Sequence, residues 1–343
     1  MKRWEMFLKI SGFAVAVLAA GFGVAQAEQR FELKDSQAGV AVHLDGKLFT
    51  EYVIGQGNKP YLYPVIGPSG VPMTRSYPME SVDGEQKDHP HHRSIWFGQE
   101  SMNGSNTWSE ALTVEEAAAR KKTPEEQDKA RKEGLAKLGA TVHREFVTKQ
   151  AGAEKAVIVT RNDYVDSSGN KLMADERTYT FRAPNAKTRV IDVELVFSAP
   201  YGPAVMGDIK DAGFSIRVPT PLAVDSKQGG VLINSHGAQG KDTWGKRADW
   251  CDYSGTLNGQ KVGVAMMNHP ASWQYPTPWH ARTYGLLTAN PFGLKAIAGE
   301  EKSGQVELQG ADTLKLRYRF LFHLGDAAEA GIQQAWEAYA AER

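Results

Sequence analysis

Residues 88–93 contain three histidines within four positions, and this cluster is the strongest candidate for chemistry in the sequence. In an extended chain, His89 and His91 would point to one side and His92 to the other. Two imidazoles at this spacing can bind one metal ion, and an imidazole can instead act as a general acid or base near neutral pH. The alternative is that these histidines only pack and form hydrogen bonds. Arg93, next to the cluster, is a candidate to bind substrate.

A second candidate region combines histidine with aromatic and cationic residues. His269 follows an apolar run, and Trp279, His280, Arg282 and Tyr284 come soon after a proline-rich stretch. Aromatic rings stack on the C–H faces of sugars, while charged planar groups bind sugar hydroxyls. The region is therefore a candidate sugar-binding wall, and the alternative is a structural loop with buried aromatic side chains.

Further carboxylates and cations lie near predicted strands. Asp208, Lys210 and Asp211 occupy a loop before a strand, where catalytic groups are often found, although they could equally form a surface ion pair. Glu110 follows Trp108 and is a candidate carboxylate base or metal ligand, with Trp108 a candidate substrate contact. The sequence predicts that Asp208 or Glu110 is the carboxylate partner of the histidines.

The chain has one cysteine, Cys251, which is expected to be a buried thiol. The residues around it provide three more candidate substrate contacts, Arg247, Trp250 and Asp252. A single cysteine excludes both a disulfide framework and a zinc site built from cysteines. Any divalent metal must then be held by histidine and carboxylate groups. The candidate metal ligands are His89, His91 and His269.

Short apolar runs separated by turn residues follow one another along most of the chain. Asp45 and Gly46 mark a hairpin, and in residues 188–197 apolar side chains alternate strictly with more polar ones. Such alternation places one face of a strand against a core. Strands at this spacing, without alternating helices, are typical of antiparallel sandwiches and barrels. The sequence therefore predicts an all-β fold, a large antiparallel β-sandwich.

Two stretches depart from this pattern and are predicted to be helical. Residues 115–137 are charged and alanine-rich, and Pro124 marks a second helix start within them. This helical insertion is expected to be a solvated surface segment. Residues 327–343 form a predicted C-terminal helix with Ile332 and Tyr339 on one apolar face, which would cap the sandwich.

The first 27 residues are organised like a secretory signal peptide. A basic start is followed by an apolar run too short to span a membrane and by a small-x-small cleavage site before Glu28. Residues 28–343 are predicted to form a single β-sandwich domain without a membrane span. We therefore expect a periplasmic or secreted protein.

Composition excludes some classes of partner. The 343 residues carry 40 basic and 40 acidic side chains, a balance that argues against a nucleic-acid-binding protein. A chain of this length can bury enough surface for a stable core without disulfides. The partner expected from the aromatic, histidine and arginine residues is a small-molecule carbohydrate.

The motifs together resemble a bacterial family of unassigned function whose members are often labelled methane-oxygenase-like, or PmoA-like. The resemblance covers roughly residues 40 to 325. It rests on the segments 67–75, 88–96, 108–110, 207–211, 250–255, 269–270, 279–285 and 290–293. The charged segment 115–137 looks like an insertion relative to the family.

The family label implies a copper-dependent oxygenase. The architecture looks similar to the galactose-mutarotase-type supersandwich, in which paired histidines and a carboxylate line a sugar-binding groove.

Three functional hypotheses follow. The first is an exported carbohydrate-active enzyme in which histidine and carboxylate groups, with or without a divalent metal ion, act on a sugar or oxidised sugar. In this hypothesis Lys210 and Arg282 stabilise negative charge. Its reaction would be that of an epimerase, a lyase or a hydrolase. The second is a non-catalytic carbohydrate-binding sandwich. The third is the copper-dependent oxygenase that the family label implies.

Overall fold

The computed structural model describes Met1 and residues 30–342. Apart from Met1, the predicted signal peptide at residues 1–27 lies outside the described residues. Within the described part of the chain, none of the helices has the length and apolar character needed to cross a membrane.

The described residues are mostly β-strands, as the sequence predicts. The strands, in chain order, are β1 (Phe31–Asp35), β2 (Gly39–Leu44), β3 (Lys47–Val53), β4 (Tyr61–Val65), β5 (Ile95–Gln99), β6 (Ala140–Ala151), β7 (Lys155–Val165), β8 (Lys171–Asn185), β9 (Thr188–Ser198), β10 (Ala204–Met206), β11 (Ala212–Arg217), β12 (Val231–Asn234), β13 (Trp250–Leu257), β14 (Gln260–Asn268), β15 (Trp279–Arg282), β16 (Leu286–Ala289), β17 (Val306–Leu308) and β18 (Thr313–Leu324).

These strands form two large antiparallel sheets that pack face to face. The first sheet has the order β1-β2-β3-β4-β5-β11-β16-β15, and the second has the order β12-β13-β14-β18-β9-β8-β7-β6. Strands β10 and β17 form a separate pair. Phe97 of the first sheet lies 5.1 Å, ring centre to ring centre, from Phe197 of the second, so the core lies between the two sheets. The predicted β-sandwich is confirmed.

Alternation along the strands decides which side chains enter this core. In β9, Ile191, Val193, Leu195 and Phe197 are all buried in the core, as their spacing predicts. Each such side chain contributes about 1.5–3 kcal/mol by its removal from water. The hairpin predicted at Asp45 joins β2 to β3.

The first sheet carries polar and aromatic residues on the face that points away from the second sheet. Phe214 of β11 and Trp279 of β15 enter the core, so their neighbours along each strand face outward. Trp96, Ser215, Arg217, His280 and Arg282 are the outward residues of β5, β11 and β15 at the middle of this face. We call this outer surface the site face. The segment 279–282, for which the sequence predicts no strand, is a strand whose side chains the sheet fixes.

Three α-helices complete the fold: α1 (Ala111–Ala119), α2 (Pro124–Lys137) and α3 (Ile332–Ala340). The helical insertion is confirmed, and its second helix begins at Pro124 with the Thr123 hydroxyl accepting a hydrogen bond from the Glu126 backbone N–H at 3.2 Å. Its first helix begins four residues earlier than predicted. The C-terminal helix is also confirmed, and it buries Ile332 and Tyr339 against the outer face of the second sheet.

Candidate functional site

The three clustered histidines lie in a turn at the site face. The His92 backbone N–H donates to the His89 carbonyl at 3.0 Å, with Pro90 at the second position of the turn, a position that favours proline. The prediction that His92 points away from His89 and His91 in an extended chain is therefore wrong. The turn instead brings the three rings together, with ring centres 4.5 to 5.8 Å apart.

Four rings form a nearly parallel stack on the site face. Trp96 lies 5.1 Å from His92, His92 lies 4.8 Å from His89, and His89 lies 5.0 Å from Tyr284, with angles between successive planes of 23°, 9° and 14°. The inner imidazole, His92, is fully buried, whereas the His89 side chain is 41% exposed. Of the two stacked imidazoles, only His89 can readily meet a ligand from solvent.

Asp88 anchors His89. Nδ1 of His89 lies 2.9 Å from Oδ2 of Asp88, which is within ion-pair distance although the two groups are not aligned as a hydrogen bond, and no other described group bonds to this nitrogen. Oδ1 of Asp88 pairs with both Arg75 and Arg217, whose side chains are completely buried. Burial alone would raise the pKa of Asp88, but the close contact with His89 and the two guanidinium charges hold that pKa well below its usual range. Asp88 is therefore a fixed anion facing the His89 ring.

Backbone geometry also constrains His89. Its φ is 45°, in the left-handed region, where a non-glycine residue persists only if its surroundings hold it. Nη2 of Arg75 donates to the His89 carbonyl at 2.9 Å and supplies part of that support. Arg75 therefore binds both the Asp88 carboxylate and the His89 backbone, and it fixes the two residues relative to each other.

His92 is held neutral. Nη1 of Arg217 lies 3.1 Å from Nδ1 of His92, and because a guanidinium can only donate, this nitrogen must accept and the ring proton must be on Nε2. Burial, together with the charges of neighbouring His91 and Arg217, lowers the pKa of His92 well below its usual range. His92 is therefore a packed, hydrogen-bonded ring within the site.

The first helix of the insertion positions His91. Thr113, in the first turn of α1, places its hydroxyl 2.9 Å from Nδ1 of His91 and also accepts a hydrogen bond from the Glu110 backbone N–H at 3.4 Å. Burial, with the charge of Lys59, lowers the pKa of His91 well below its usual range. A cleft of about 370 Å³ is lined by both elements, namely by Lys87, Asp88, His89, Pro90, His91, Thr113, Glu116, Ala117 and Arg120. The insertion predicted to be only a solvated surface segment thus forms one wall of the site.

On the other side of the histidines, strand β15 contributes His280. Its ring is nearly parallel to Trp108, with ring centres 6.3 Å apart. Nδ1 of His280 lies 3.0 Å from the Lys210 carbonyl, which can only accept, so Nδ1 carries the proton and Nε2 has a free lone pair. Burial lowers the pKa of His280 to about 3, and the charges of Lys210 and Arg282 contribute to this shift. His280 therefore offers a hydrogen-bond acceptor near neutral pH.

Asp211 is the carboxylate that the structure brings to this group. Oδ1 of Asp211 lies 3.7 Å from Nδ1 of His280, and Oδ2 lies 3.3 Å from the Lys210 ammonium. Burial raises the pKa of Asp211, while the charges of Lys210, His89 and Arg282 partly oppose the rise. Glu100, next to it, also has a raised pKa because of burial and the Asp211 charge. A carboxyl group with a raised pKa is suited to donate a proton.

Arg282 stands at the exposed edge of the site. Its guanidinium carbon lies 4.9 Å from the centre of the Trp244 ring and 5.5 Å from that of Tyr284. Trp244 in turn meets His280 edge to face, with ring centres 4.7 Å apart. A second cleft, of about 290 Å³, is lined by Lys241, Trp244, Ala281, Arg282 and Thr283. The site therefore has a cleft on the histidine side and another beside Arg282.

Glu110 and Arg93 lie behind the histidine turn and are paired with each other. Glu110 accepts hydrogen bonds from Arg93, the shortest at 2.7 Å, and from the Lys59 ammonium at 2.9 Å. The Lys59 side chain is completely buried and that of Glu110 is 8% exposed. Burial would raise the pKa of Glu110, but the two cations lower it overall. The structure thus gives Glu110 the surroundings of a structural anion rather than those of a base.

Five other candidates make contacts elsewhere in the fold. Asp208 accepts hydrogen bonds from three backbone N–H groups of a loop, and Arg247 pairs with a glutamate and two loop carbonyls. Asp252 is buried against a histidine of the second sheet. Trp279 lies in the core between the sheets, and Trp250 lies on the outer face of the second sheet. Among the described residues, none of these contacts involves the histidine turn.

His269 is also separate from the histidine turn. It packs on Tyr339 of α3, its Nε2 lies 2.9 Å from the Glu342 carbonyl, and its Nδ1 accepts from the Ala271 backbone N–H. Both ring nitrogens therefore have partners on the outer face of the second sheet. Among the described residues, no three histidine, cysteine, aspartate or glutamate side chains are arranged to hold a metal ion. The predicted metal site of His89, His91 and His269 is therefore corrected, because these residues lie on opposite faces of the sandwich.

Several residues of the site are not among the candidates predicted from the sequence. Arg75 and Asp88 lie within the resembling segments but have no spacing that predicts their pairing. Arg217 ends the apolar strand β11, and an arginine at a buried strand end is a usable signal for a functional or paired charge. Thr113 carries no signal in the sequence. Trp244 stands out only as one of two tryptophans in a short charged span, because its contact with His280 joins distant segments.

Comparison with known proteins places the chain in a family without giving it an activity. No curated protein matches the sequence. A family model described as a family of unknown function, DUF6807, matches residues 39–337, which include every strand except β1 and every residue of the site. The chain belongs to this family of unknown function, DUF6807.

Proposed function

We propose that the protein is an exported enzyme that acts on a sugar or oxidised sugar by acid–base chemistry at the site face. The observation that carries this proposal is the Asp88–His89 pair. The exposed His89 ring faces a carboxylate that two buried arginines hold as an anion. A carboxylate in this position orients an imidazole and stabilises its protonated form, as in other enzymes with a histidine base.

The proposed reaction begins with proton removal from a carbon next to a carbonyl group. His89 takes the proton on Nε2, and the electron pair moves into an enediolate stabilised by Lys210 and Arg282. Asp211, whose pKa burial raises, then returns a proton or protonates a leaving group. Return of the proton on the opposite face gives an epimer, and loss of a leaving group gives an unsaturated sugar. Glycoside hydrolysis by the same acid–base pair is the remaining reaction type.

A carbohydrate fits the surroundings of these groups. Tyr284 and Trp244 provide partly exposed aromatic surface around them, and the His280 Nε2 lone pair can accept a hydroxyl hydrogen bond. Trp108, a predicted substrate contact, is buried beneath His280 and supports that ring instead. Two eight-stranded sheets with a groove of histidines are also what the resemblance to the galactose-mutarotase-type sandwich leads us to expect. The copper-dependent oxygenase implied by the PmoA-like label would need His269 beside His89 and His91, and the described geometry does not favour it.

The test compares turnover by the wild-type protein with turnover by the His89→Ala variant. The purified protein and the variant are incubated in D₂O with a panel of aldoses, ketoses, uronates and their glycosides. NMR then detects deuterium incorporation or elimination, and a reducing-end assay detects hydrolysis. A general base contributes about 10²–10⁴-fold to rate, so we expect a loss of at least about 100-fold. His236→Ala, which alters an exposed loop histidine, is the matched control.

The fold of His89→Ala is checked by circular dichroism and thermal melting, and we expect it to be retained because the ring is partly exposed. Undiminished turnover in this variant would overturn the proposal. Sugar binding by the wild-type protein without any product, across the whole panel, would instead support the alternative of a non-catalytic carbohydrate-binding sandwich.

A further inference from the structure

Arg282 differs from the other arginines of the site in lacking a carboxylate partner. Arg75 and Arg217 both pair with Asp88, whereas no carboxylate of the described residues forms an ion pair with Arg282. Its guanidinium is instead held over the rings of Trp244 and Tyr284, at 4.9 and 5.5 Å from their centres. Stacking on two aromatic rings restricts the orientation of the guanidinium and leaves its N–H donors available.

The other charged groups of the site have partners of opposite charge. Asp88 pairs with two buried guanidinium groups, and Lys210 pairs with Asp211, beside which Glu100 is a further carboxylate. Lys241 lines the cleft beside Arg282 and forms no ion pair among the described residues. Thr283, which lines the same cleft, donates to Asp225, so Arg282 and Lys241 are the two cations of this cleft without a carboxylate partner among the described residues. Two such cations side by side in a concave surface can bind an anionic group.

A guanidinium recognises a planar carboxylate through two parallel hydrogen bonds, a geometry that an ammonium cannot provide. Arg282 lies between the cleft that it lines with Lys241 and the stack that contains His89, so a group bound by its N–H donors would lie beside the proposed acid–base residues. We propose that the substrate is an acidic sugar, and that Arg282 binds its ring carboxylate with Lys241 as a second cation. This inference rests on the proposed function, because it takes the histidine cleft as the place where the sugar ring reacts.

The assignment gives the acid–base residues a specific target. A carboxylate neutralised by Arg282 acidifies the C–H bond on the adjacent ring carbon. His89 takes this proton, the electron pair enters the carboxylate as an enediolate, and a proton from Asp211 on the other face restores the C–H bond. One proton leaves and one returns, so that no oxidant or reductant is needed.

The experiment is titration calorimetry of the full protein with D-glucuronate and D-galacturonate, and with the neutral sugars D-glucose and D-galactose. We expect uronate binding to be at least about 10-fold tighter than binding of the matching neutral sugar, and to weaken as ionic strength rises. Arg282→Gln should lose this preference, and Arg282→Lys should retain only part of it, because lysine keeps the charge without the planar donor pair. Arg161→Gln, at an exposed arginine of the second sheet, is the matched control.

D-Glucose 6-phosphate is included because a phosphate could use the same cations. Equal affinity for acidic and neutral sugars, or an unchanged preference in Arg282→Gln, would overturn the inference, as would tighter binding of the phosphate than of both uronates. The two proposals fail separately. Turnover of neutral sugars that depends on His89 but not on Arg282 would preserve the enzyme and remove the carboxylate assignment. Uronate binding that depends on Arg282, without any product, would instead preserve the carboxylate assignment and remove the enzyme.

Discussion

At the scale of single residues, the surroundings of a side chain decide its role in this protein. His89 and His92 are stacked 4.8 Å apart, yet His89 is partly exposed and faces a fixed carboxylate, while His92 is buried and accepts from a guanidinium. Asp208 and Asp211 differ in the same way. Asp208 accepts from three backbone N–H groups, whereas Asp211 lies beside His280 and has a pKa that burial raises. Identical residue types therefore differ in exposure and in partners, and the catalytic roles that we propose for His89 and Asp211 rest on those differences.

Glu110 provides a test of this distinction. Its buried carboxylate lies between Lys59 and Arg93, so Glu110→Gln should leave the completely buried Lys59 ammonium without its anion. We expect the free energy of unfolding to fall by about 3–5 kcal/mol, the usual cost of removing one partner from a buried ion pair. Urea denaturation at pH 7 measures this loss. Glu115→Gln, which alters an exposed pair with Arg131, is the control and should change stability by less than about 1 kcal/mol.

The pH dependence of stability should change in the same variant. The folded-state pKa of Glu110 is lowered, so its contribution is present above the unfolded value of about 4.3 and is lost as pH falls through the folded value. Wild-type stability should therefore fall on acidification below about pH 4.3, and the fall should be smaller in Glu110→Gln. A Glu110→Gln variant that is fully stable but inactive would contradict the structural role of Glu110 and would make it a candidate catalytic base.

At the scale of elements, the helical insertion shows which features a sequence pattern can predict and which it cannot. The charged, alanine-rich composition of residues 115–137 predicts helices, and Pro124 predicts the second start, because capping and propensity are local properties. The role of α1 is not local. It depends on Thr113 meeting His91, 22 residues away, and no periodicity in the helix encodes that contact. The strand β15 was missed for a related reason, since its four residues are defined by pairing with β16.

Thr113→Val tests whether α1 takes part in the site. Valine keeps the branched shape of threonine but removes the hydroxyl that meets Nδ1 of His91, so we expect kcat/KM to fall by about 5–10-fold, the value of one hydrogen bond. Thr113→Ser, which keeps the hydroxyl, should restore most of the rate. Both variants are measured on the substrate identified from the sugar panel. Equal rates in the two variants would show that the helix supports the fold without positioning His91.

At the scale of the whole molecule, the sandwich separates two groups of histidines that the sequence does not distinguish. His89, His91, His92 and His280 lie at the site face, whereas His269 lies under α3 on the outer face of the second sheet. Strand alternation predicts which residues face a core, and the sequence predicted the sandwich on that basis. It could not assign a polar residue to one outer face or the other, because both faces carry histidine, arginine and aromatic residues. Only the strand order resolves this ambiguity.

His269→Ala tests this separation. The substitution removes the contacts to Glu342 and Ala271, so we expect the free energy of unfolding to fall by about 1–3 kcal/mol while turnover stays unchanged.

Burial and the Arg317 charge lower the pKa of His269 in the folded state. In the unfolded chain the pKa of this histidine is about 6.5. Below that pH the unfolded chain binds a proton that the folded chain takes up only at lower pH, so the free energy of unfolding of the wild-type protein falls on acidification. Urea denaturation at pH 7 and pH 5 should show a smaller fall in the variant. A folded His269→Ala protein with greatly reduced turnover would mean that the two faces of the sandwich act together in the reaction.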